Sequence, residues 1–238
     1  MNIAVVFAGG VGKRMHSKDR PKQFLLVHGK PIIIHTVEAF LNHEDIDGII
    51  ISCVEEWIPY MHELVYRYRI DKVRSIIPGG KTGQLSIYNG LLEVERLFGV
   101  ENNIVLIHDG VRPLVDKETI SENIKMVKDK GSAITCKPSQ ETLIIVNGEN
   151  QVKLVPNRSE SRLAVAPQSF WLADILEAER LAIADGIMDI IDCCTLMRKY
   201  GRELSVVMCS SDNIKITTPE DFYIFRALYE ARENKQLE

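Results

Sequence analysis

Ile3-Ala4-Val5-Val6-Phe7, followed by Ala8-Gly9-Gly10-Val11-Gly12-Lys13-Arg14-Met15 and then Pro21-Lys22-Gln23-Phe24-Leu25, is the stretch on which the fold turns. An uninterrupted apolar run of this kind suits a strand buried on both faces of a parallel sheet. Such strands deliver the loop that follows them to the carboxyl edge of the sheet, where α/β proteins bind ligands. Gly9, Gly10 and Gly12 carry no side chains to block close approach, so several backbone N–H groups can turn toward one anion. Arg14 and Lys22 add full positive charges, and together these features are equipment for holding a polyphosphate.

Spacing separates this loop from two common phosphate loops. A dinucleotide fingerprint needs Gly-x-Gly-x-x-Gly, with an acidic residue at the end of the next strand. After Gly10-x-Gly12 come Arg14 and Met15, and no third glycine follows. Gly80-Lys81-Thr82 resembles the end of a Walker loop, but Ser75 stands where that loop requires its first glycine. A Gly-Gly pair after a strand is often only a tight turn, and the neighbouring cations argue for more.

The chain has 238 residues, 45% of them hydrophobic, enough for one substantial core, so a single domain over 1–238 is expected. A formal net charge of −4 argues against a nucleic-acid partner, which calls for a dominant basic surface. Neither a secretory leader nor an apolar run long enough to span a bilayer is legible, so the expected location is the cytoplasm, with no membrane partner. The five cysteines include no Cys-x-x-Cys pair and read as buried free thiols.

Apolar runs at 3–7, 48–54, 73–77, 103–108, 132–136 and 204–209 alternate with stretches of helical period. That alternation predicts an α/β fold, a mainly parallel twisted sheet flanked by helices. Pro31 opens a helix running to about Asn42, with Ile34, Val37, Ala39 and Phe40 inward. Gln84 to Phe98 repeats the pattern, with Leu85, Tyr88, Leu91, Leu92 and Leu97 on its apolar side. Thr218-Pro219-Glu220-Asp221 opens a last helix, Thr218 serving as its N-cap. Glu141 to Val155 breaks the rhythm: Thr142–Val146 and Gln151–Val155 flank Asn147-Gly148-Glu149-Asn150, a hairpin turn. An isolated hairpin is marginal in water, so Leu143, Ile145 and Leu154 need a cover. The expected form is an arm at about 138–158 exchanged within a two-fold homodimer.

Further groups follow in order: His108-Asp109-Gly110-Val111-Arg112-Pro113, Pro156-Asn157-Arg158, Ala166-Pro167-Gln168-Ser169-Phe170 and Asn213-Ile214-Lys215-Ile216-Thr217-Thr218-Pro219-Glu220-Asp221. With the glycine-rich opening they resemble the polyol-phosphate cytidylyltransferases, the family of the methylerythritol phosphate and ribitol-5-phosphate enzymes, over Ile3 to about Leu228. The resemblance implies a Rossmann-like nucleotidyltransferase fold and a reaction of CTP with a polyol phosphate, Mg²⁺ assisting, to give a CDP-alcohol and pyrophosphate. It also implies roles. Ala8, Gly9, Gly10, Gly12, Gly79, Gly80, Ser86 and Asp109 would hold the nucleotide, with Asp109 also the metal ligand. Arg14, Lys22, Arg158 and Lys215 would act on the reacting phosphates. Asp109, Arg112, Thr142, Arg158, Asp192 and Lys215 would face the acceptor, Arg158 reaching a neighbouring subunit's site.

The chain departs from the family pattern at Gly83, where an arginine is common, and at Ala166 and Ile191, where threonines are. The His108 group, the Lys30-Pro31-Ile32-Ile33-Ile34-His35-Thr36 stretch and Pro167-Gln168-Ser169-Phe170 look closer to the ribitol branch, with its teichoic acid or capsule role. The methylerythritol branch remains the alternative. A nucleotide-binding homologue without turnover is a second alternative, motivated by the three departures. Read singly, Asp109 is a turn residue, Lys215 a snorkelling cation and Arg158 a solvated charge. His35 and His108 read as packed histidines, and Trp57 and Trp171 as core or surface anchors.

Overall fold

A computed structural model describes residues 1–9 and 20–234. Its centre is a seven-stranded sheet of β1 (Asn2–Ala8), β4 (Gly48–Cys53), β5 (Val73–Pro78), β6 (Ile104–Asp109), β7 (Ser132–Pro138), β10 (Arg162–Trp171) and β11 (Val206–Met208). Their spatial order is β11-β7-β10-β6-β1-β4-β5. All six predicted strands are present within a few residues of their expected limits, and β1 pairs in parallel with both β4 and β6. The chain runs from β1 outward through β4 and β5, then returns to place β6 on the other side of β1. That reversal opens a crevice at the carboxyl ends of β1 and β6, where open α/β sheets bind ligands.

β10 escaped the periodicity. It carries Pro167 and the polar Gln168 and Ser169, which read against a central strand, yet it lies antiparallel between β6 and β7. A register shift between Ala164 and Gln168 accommodates the proline. Asn123 satisfies the buried hydroxyl of Ser169, accepting from Oγ at 2.8 Å while donating to Thr135 Oγ1 at 2.8 Å.

Alternation along β1 builds both cores. Ala4, Val6 and Ala8 join a layer with α1 (Ile32–Leu41), α2 (Ile58–Arg67) and α4 (Lys117–Lys130). Ile3 and Val5 face the opposite layer of α3 (Gly83–Phe98), α5 (Leu172–Ala184) and α6 (Cys193–Lys199). On α1, Ile34, Val37 and Phe40 are buried as expected, and Pro31 stands just before the helix as its N-cap. The α3 stripe is rotated from the one expected. Ile87, Leu91 and Val94 are buried, whereas Leu97 is exposed.

The short strands β2 (Leu26–Val27) and β3 (Lys30–Pro31) make a small hairpin ahead of α1. Phe225 of the last helix, α7 (Pro219–Asn234), covers Val27, Ile32 and Ile216. Thr218 and Asp221 cap α7 reciprocally, Asp221 Oδ2 accepting from the Thr217 and Thr218 N–H groups at 2.8 Å. Trp57 stacks on Phe24 with ring centroids 4.9 Å apart, and Trp171 packs against the same core.

The predicted arm forms, with shorter strands than expected. β8 (Ile145–Val146) pairs antiparallel with β9 (Val152–Leu154) as a separate two-stranded sheet. Asn147 Oδ1 accepts from the N–H groups of Glu149 and Gln151, closing the turn. Within this chain the apolar arm residues Ile145, Val152 and Leu154 are exposed.

Candidate active site

Asp109 ends β6 beside Phe7 of β1, at the crevice. Its carboxylate is buried and carries two cations: Arg112 Nε lies 2.7 Å from Oδ2 and Lys215 Nζ 2.6 Å from Oδ1. Burial by itself would raise the Asp109 pKa, but the Lys215 and Arg112 charges outweigh it and hold the group at about 2. The carboxylate is therefore ionised throughout the neutral range.

Backbone contacts fix this cluster. Gly110 N–H donates to Phe7 O at 3.0 Å, tying the loop after β6 to β1. A side chain at Gly110 would meet Ile33 Cδ1 at 2.6 Å, so the close approach requires glycine. Arg112 Nη1 donates to Asn213 O at 3.1 Å, and Asn213 Nδ2 donates to Ala166 O at 2.7 Å. Ile216 N–H donates to Val111 O at 2.9 Å, which sets Lys215 against Asp109. Beneath them His108 is fully buried, its Nε2 3.0 Å from Arg112 O. Burial pushes its pKa down to about 4, so the ring is neutral and braces the loop. His35 likewise contacts Val27 O at 3.1 Å, and both histidines are structural.

Two cavities meet at this cluster, of about 360 and 370 Å³. They share Phe7, Gly83, Asp109 and Lys215 as a common wall. The first is lined by Ala8, Gly9, Gly80 and Ser86, which are among the expected nucleotide residues, and by Lys22, expected to act on the reacting phosphates. Gln23, buried beside Lys22, donates from Nε2 to Ala8 O at 2.7 Å and holds the start of the glycine loop. Lys22 Nζ donates to Ile216 O at 2.9 Å, linking the Lys22–Phe24 turn to the Lys215 segment. Ser86 Oγ accepts from Gly80 N–H at 3.0 Å and donates to Thr82 O at 2.8 Å. A Cβ at Gly9 would lie 2.9 Å from that Oγ, which explains the glycine. Gly79 lies behind this wall, its N–H bonded to Cys53 O at 2.7 Å. Lys81, which fails as a Walker lysine, also lines the chamber.

The second chamber is lined by Arg112, Val165, Ala166, Gln168, Ile191 and Asp192. Asp192 caps α6, accepting from Thr195 N–H at 2.8 Å, and Gln168 Oε1 accepts from Cys194 N–H at 2.8 Å. Cys193 also borders this space, but burial pushes its thiol well up, so it is no thiolate nucleophile. All five cysteines are free, as expected.

The structure thus gathers Gly9, Lys22, Gly80, Ser86, Asp109, Arg112, Asp192 and Lys215 into one double site. Thr142 and Arg158 line neither chamber. Both are exposed on the arm, where Arg158 Nη1 donates to Gln140 O at 3.3 Å. Gly10, Gly12 and Arg14 lie outside the described residues. Sequence reasoning missed Gln23, Lys81, Gln84 and the bracing role of Asn213. Gln23 and Asn213 stood inside quoted motifs, which was the signal available.

Two joined chambers on a carboxyl-edge crevice, one with a glycine-rich loop and both sharing a carboxylate flanked by cations, define a nucleotidyltransferase. The family model for IspD, 2-C-methyl-D-erythritol 4-phosphate cytidylyltransferase, matches residues 2–230, and the chain belongs to that family of cytidylyltransferases. A ribitol-5-phosphate cytidylyltransferase of Streptococcus agalactiae serotype III is 54% identical over 237 residues, covering 100% of this chain and 99% of that protein. A 2-C-methyl-D-erythritol 4-phosphate cytidylyltransferase of Geotalea uraniireducens is 37% identical over 225 residues, or 94% of each chain. Among solved structures, 4-diphosphocytidyl-2C-methyl-D-erythritol synthase from Anaerococcus prevotii superposes with a TM-score of 0.82 at 25% identity, covering 96% of both chains.

Proposed function

We propose that this enzyme joins CTP to ribitol 5-phosphate, or a closely related alditol phosphate, releasing pyrophosphate and a CDP-alcohol. A phosphate oxygen of the acceptor attacks the α-phosphorus of CTP. The bond from that phosphorus to the bridging oxygen of the β-phosphate breaks, and pyrophosphate leaves with the electron pair. The observation that carries this reading is the common wall of the two chambers. Asp109 and Lys215, with Arg112 on the acceptor side, stand where a nucleotide in one chamber and an acceptor in the other would meet.

The chemistry needs no general base. A phosphate monoester has its second pKa near 6 and is largely dianionic at neutral pH. The difficulty is charge, since two like unit charges at ~4 Å repel by about 4 kcal/mol at an effective dielectric of 20. Lys22 and Lys215, with Arg14 of the loop and Arg158 from a partner's arm, would offset that repulsion and position the reactants.

Among the described residues no group of three or more acidic, histidine or cysteine side chains is gathered to cage a metal. Mg²⁺ takes one or two carboxylates and completes its shell with water and phosphate oxygens, so the permanently ionised Asp109 fits as its single protein ligand. When bound, the ion would neutralise charge on the nucleotide phosphates.

The ribitol acceptor is favoured by the higher identity to the streptococcal relative; the methylerythritol acceptor is favoured by the family model. The exposed apolar arm supports a homodimer. No helix among the described residues is long and apolar enough to cross a membrane, which is compatible with work in the cytoplasm on soluble substrates. The test is pyrophosphate release with Mg²⁺, screening ribitol 5-phosphate, methylerythritol phosphate, glycerol phosphates and xylulose phosphate against all four nucleoside triphosphates. Release with CTP and ribitol 5-phosphate is expected. Preference for methylerythritol phosphate would move the enzyme to the other branch, and silence with CTP still bound would identify a homologue without turnover.

A further inference from the structure

The segment Gly186 to Asp192, between α5 and α6, carries Ile191 and Asp192 to the edge of the acceptor chamber. Ile191 is 89% exposed, so it has no core packing to hold it there. Besides the packing of Ile187 and Ile190 on the core, polar contacts hold the segment from the other chamber's side. Gln84, in the first turn of α3, donates from Nε2 to Ile187 O at 3.3 Å and accepts from Ile190 N–H at Oε1 at 2.9 Å. The same amide nitrogen donates to Glu179 Oε2 of α5 at 2.9 Å. Both side chains are buried, and every polar atom of the Gln84 amide is used. Thr82, two residues earlier, donates its hydroxyl to Met188 O.

Thr82 lines the nucleotide chamber, Gly83 lines both chambers, and Gln84 lies behind them as a strut. At Gly83 a Cβ would meet nothing within 4 Å, so this part of the wall is open and cannot brace the loop by contact. Ile187 and Ile190 pack on the core, and Ile187 N–H donates to Ala182 O at 2.8 Å; on the chamber side the segment is fixed by the hydrogen bonds from Thr82 and Gln84.

We propose that Gln84, seated on Glu179, is a positioning residue for the acceptor: it holds the 187–190 segment so that Ile191 and Asp192 form the rim that receives the polyol chain. Gln84 touches no substrate itself. The inference rests on the cytidylyltransferase reading for its kinetic consequence and on the loop geometry alone for its structural one.

The test compares Gln84→Ala, Gln84→Asn and Glu179→Gln with the unaltered enzyme. Gln84→Ala is expected to raise KM for ribitol 5-phosphate about tenfold or more while KM for CTP stays within about twofold. Gln84→Asn keeps the amide but falls short of the loop, and should show the same split if the alanine variant folds poorly. Glu179→Gln leaves an oxygen for the Gln84 amide and should retain the low acceptor KM.

Hydrogen exchange at the Ile190 amide, which donates to Gln84, should speed up in both Gln84 variants. An acceptor KM that does not move, or both KM values rising together, would overturn the inference. If the unaltered enzyme does not use ribitol 5-phosphate, the functional reading fails on its own. Unchanged protection of Ile190 in the Gln84 variants would still overturn the strut.

Discussion

Lys215 reaches Asp109 from the far end of the sequence, its ammonium 2.6 Å from Oδ1, while Arg112 holds the other carboxylate oxygen from three residues away. The two cations differ in setting. Arg112 is buried and bonded on to Asn213 O, whereas the Lys215 side chain is 42% exposed and faces both chambers. Lys215→Ala should therefore cost about 1 kcal/mol of stability and lower kcat/KM about 100-fold or more. Arg112→Ala, which breaks a buried pair, should cost about 3 kcal/mol. Urea titrations beside a pyrophosphate assay separate the two. Equal stability losses would show that Lys215 is as structural as Arg112.

Lys22 stands in the short turn Lys22–Phe24 and lines the nucleotide chamber. Buried Gln23 and Phe24 fix that turn, and the lysine donates to Ile216 O. Lys22→Ala should leave the fold intact and lower turnover about 100-fold, with Lys22→Arg recovering part of it. Turnover unchanged in the alanine variant would remove Lys22 from the reaction.

The pattern of what could be read from sequence follows from local signals. β1, β4 and β6 are apolar runs rich in β-branched residues and buried almost throughout, so their existence and a mainly parallel sheet were legible, though not the strand order. β10 was not, because Pro167, Gln168 and Ser169 read as loop and become a strand only through the register shift and Asn123. That Asp109 and Lys215 both serve the acceptor was implied by the family resemblance; Asp109 ends β6, and the connection between β11 and α7 brings Lys215 to it. The Gln84 strut had no such signal. Its partners lie 95 to 106 positions away, and those on the loop act through backbone groups that any sequence possesses. The α3 stripe was misread for a related reason: Gln84 and Ser86 are buried polar residues, and the helix rotates to serve them.

Glu179 gives a pH dependence of defined sign. Burial raises its pKa to about 7 from the model-peptide value of 4.5, so between those values the folded protein keeps a proton that the unfolded chain has lost. Stability from this group is fully present below 4.5 and declines as pH rises toward about 7. His108 has the opposite slope. Its pKa falls from 6.5 to about 4, so its contribution grows as pH rises across that window. The two slopes oppose one another where the windows overlap. Glu179→Gln removes only the first, and its stability relative to the unaltered protein should increase by about 3 kcal/mol between acid and neutral pH. Urea titrations across that range provide the measurement. A stability difference that does not change with pH would refute the assignment.

The arm sets a last test, because Arg158 is exposed and outside both chambers of its own chain. An arm with Ile145, Val152 and Leu154 each roughly half exposed needs a cover, and the proposed two-fold partner would provide one and would bring Arg158 to the neighbouring site. Arg158→Ala and Asp109→Asn should each be nearly inactive. If the site is shared, mixing the two variants under conditions of subunit exchange restores activity, since one site of each mixed dimer has an intact Asp109 and an intact partner arm. Random exchange makes half of the dimers mixed, each with one good site of two, so recovery should approach about a quarter of the unaltered level. Arginine acting on its own chain's site would leave every mixed dimer with two damaged sites, and no activity would return.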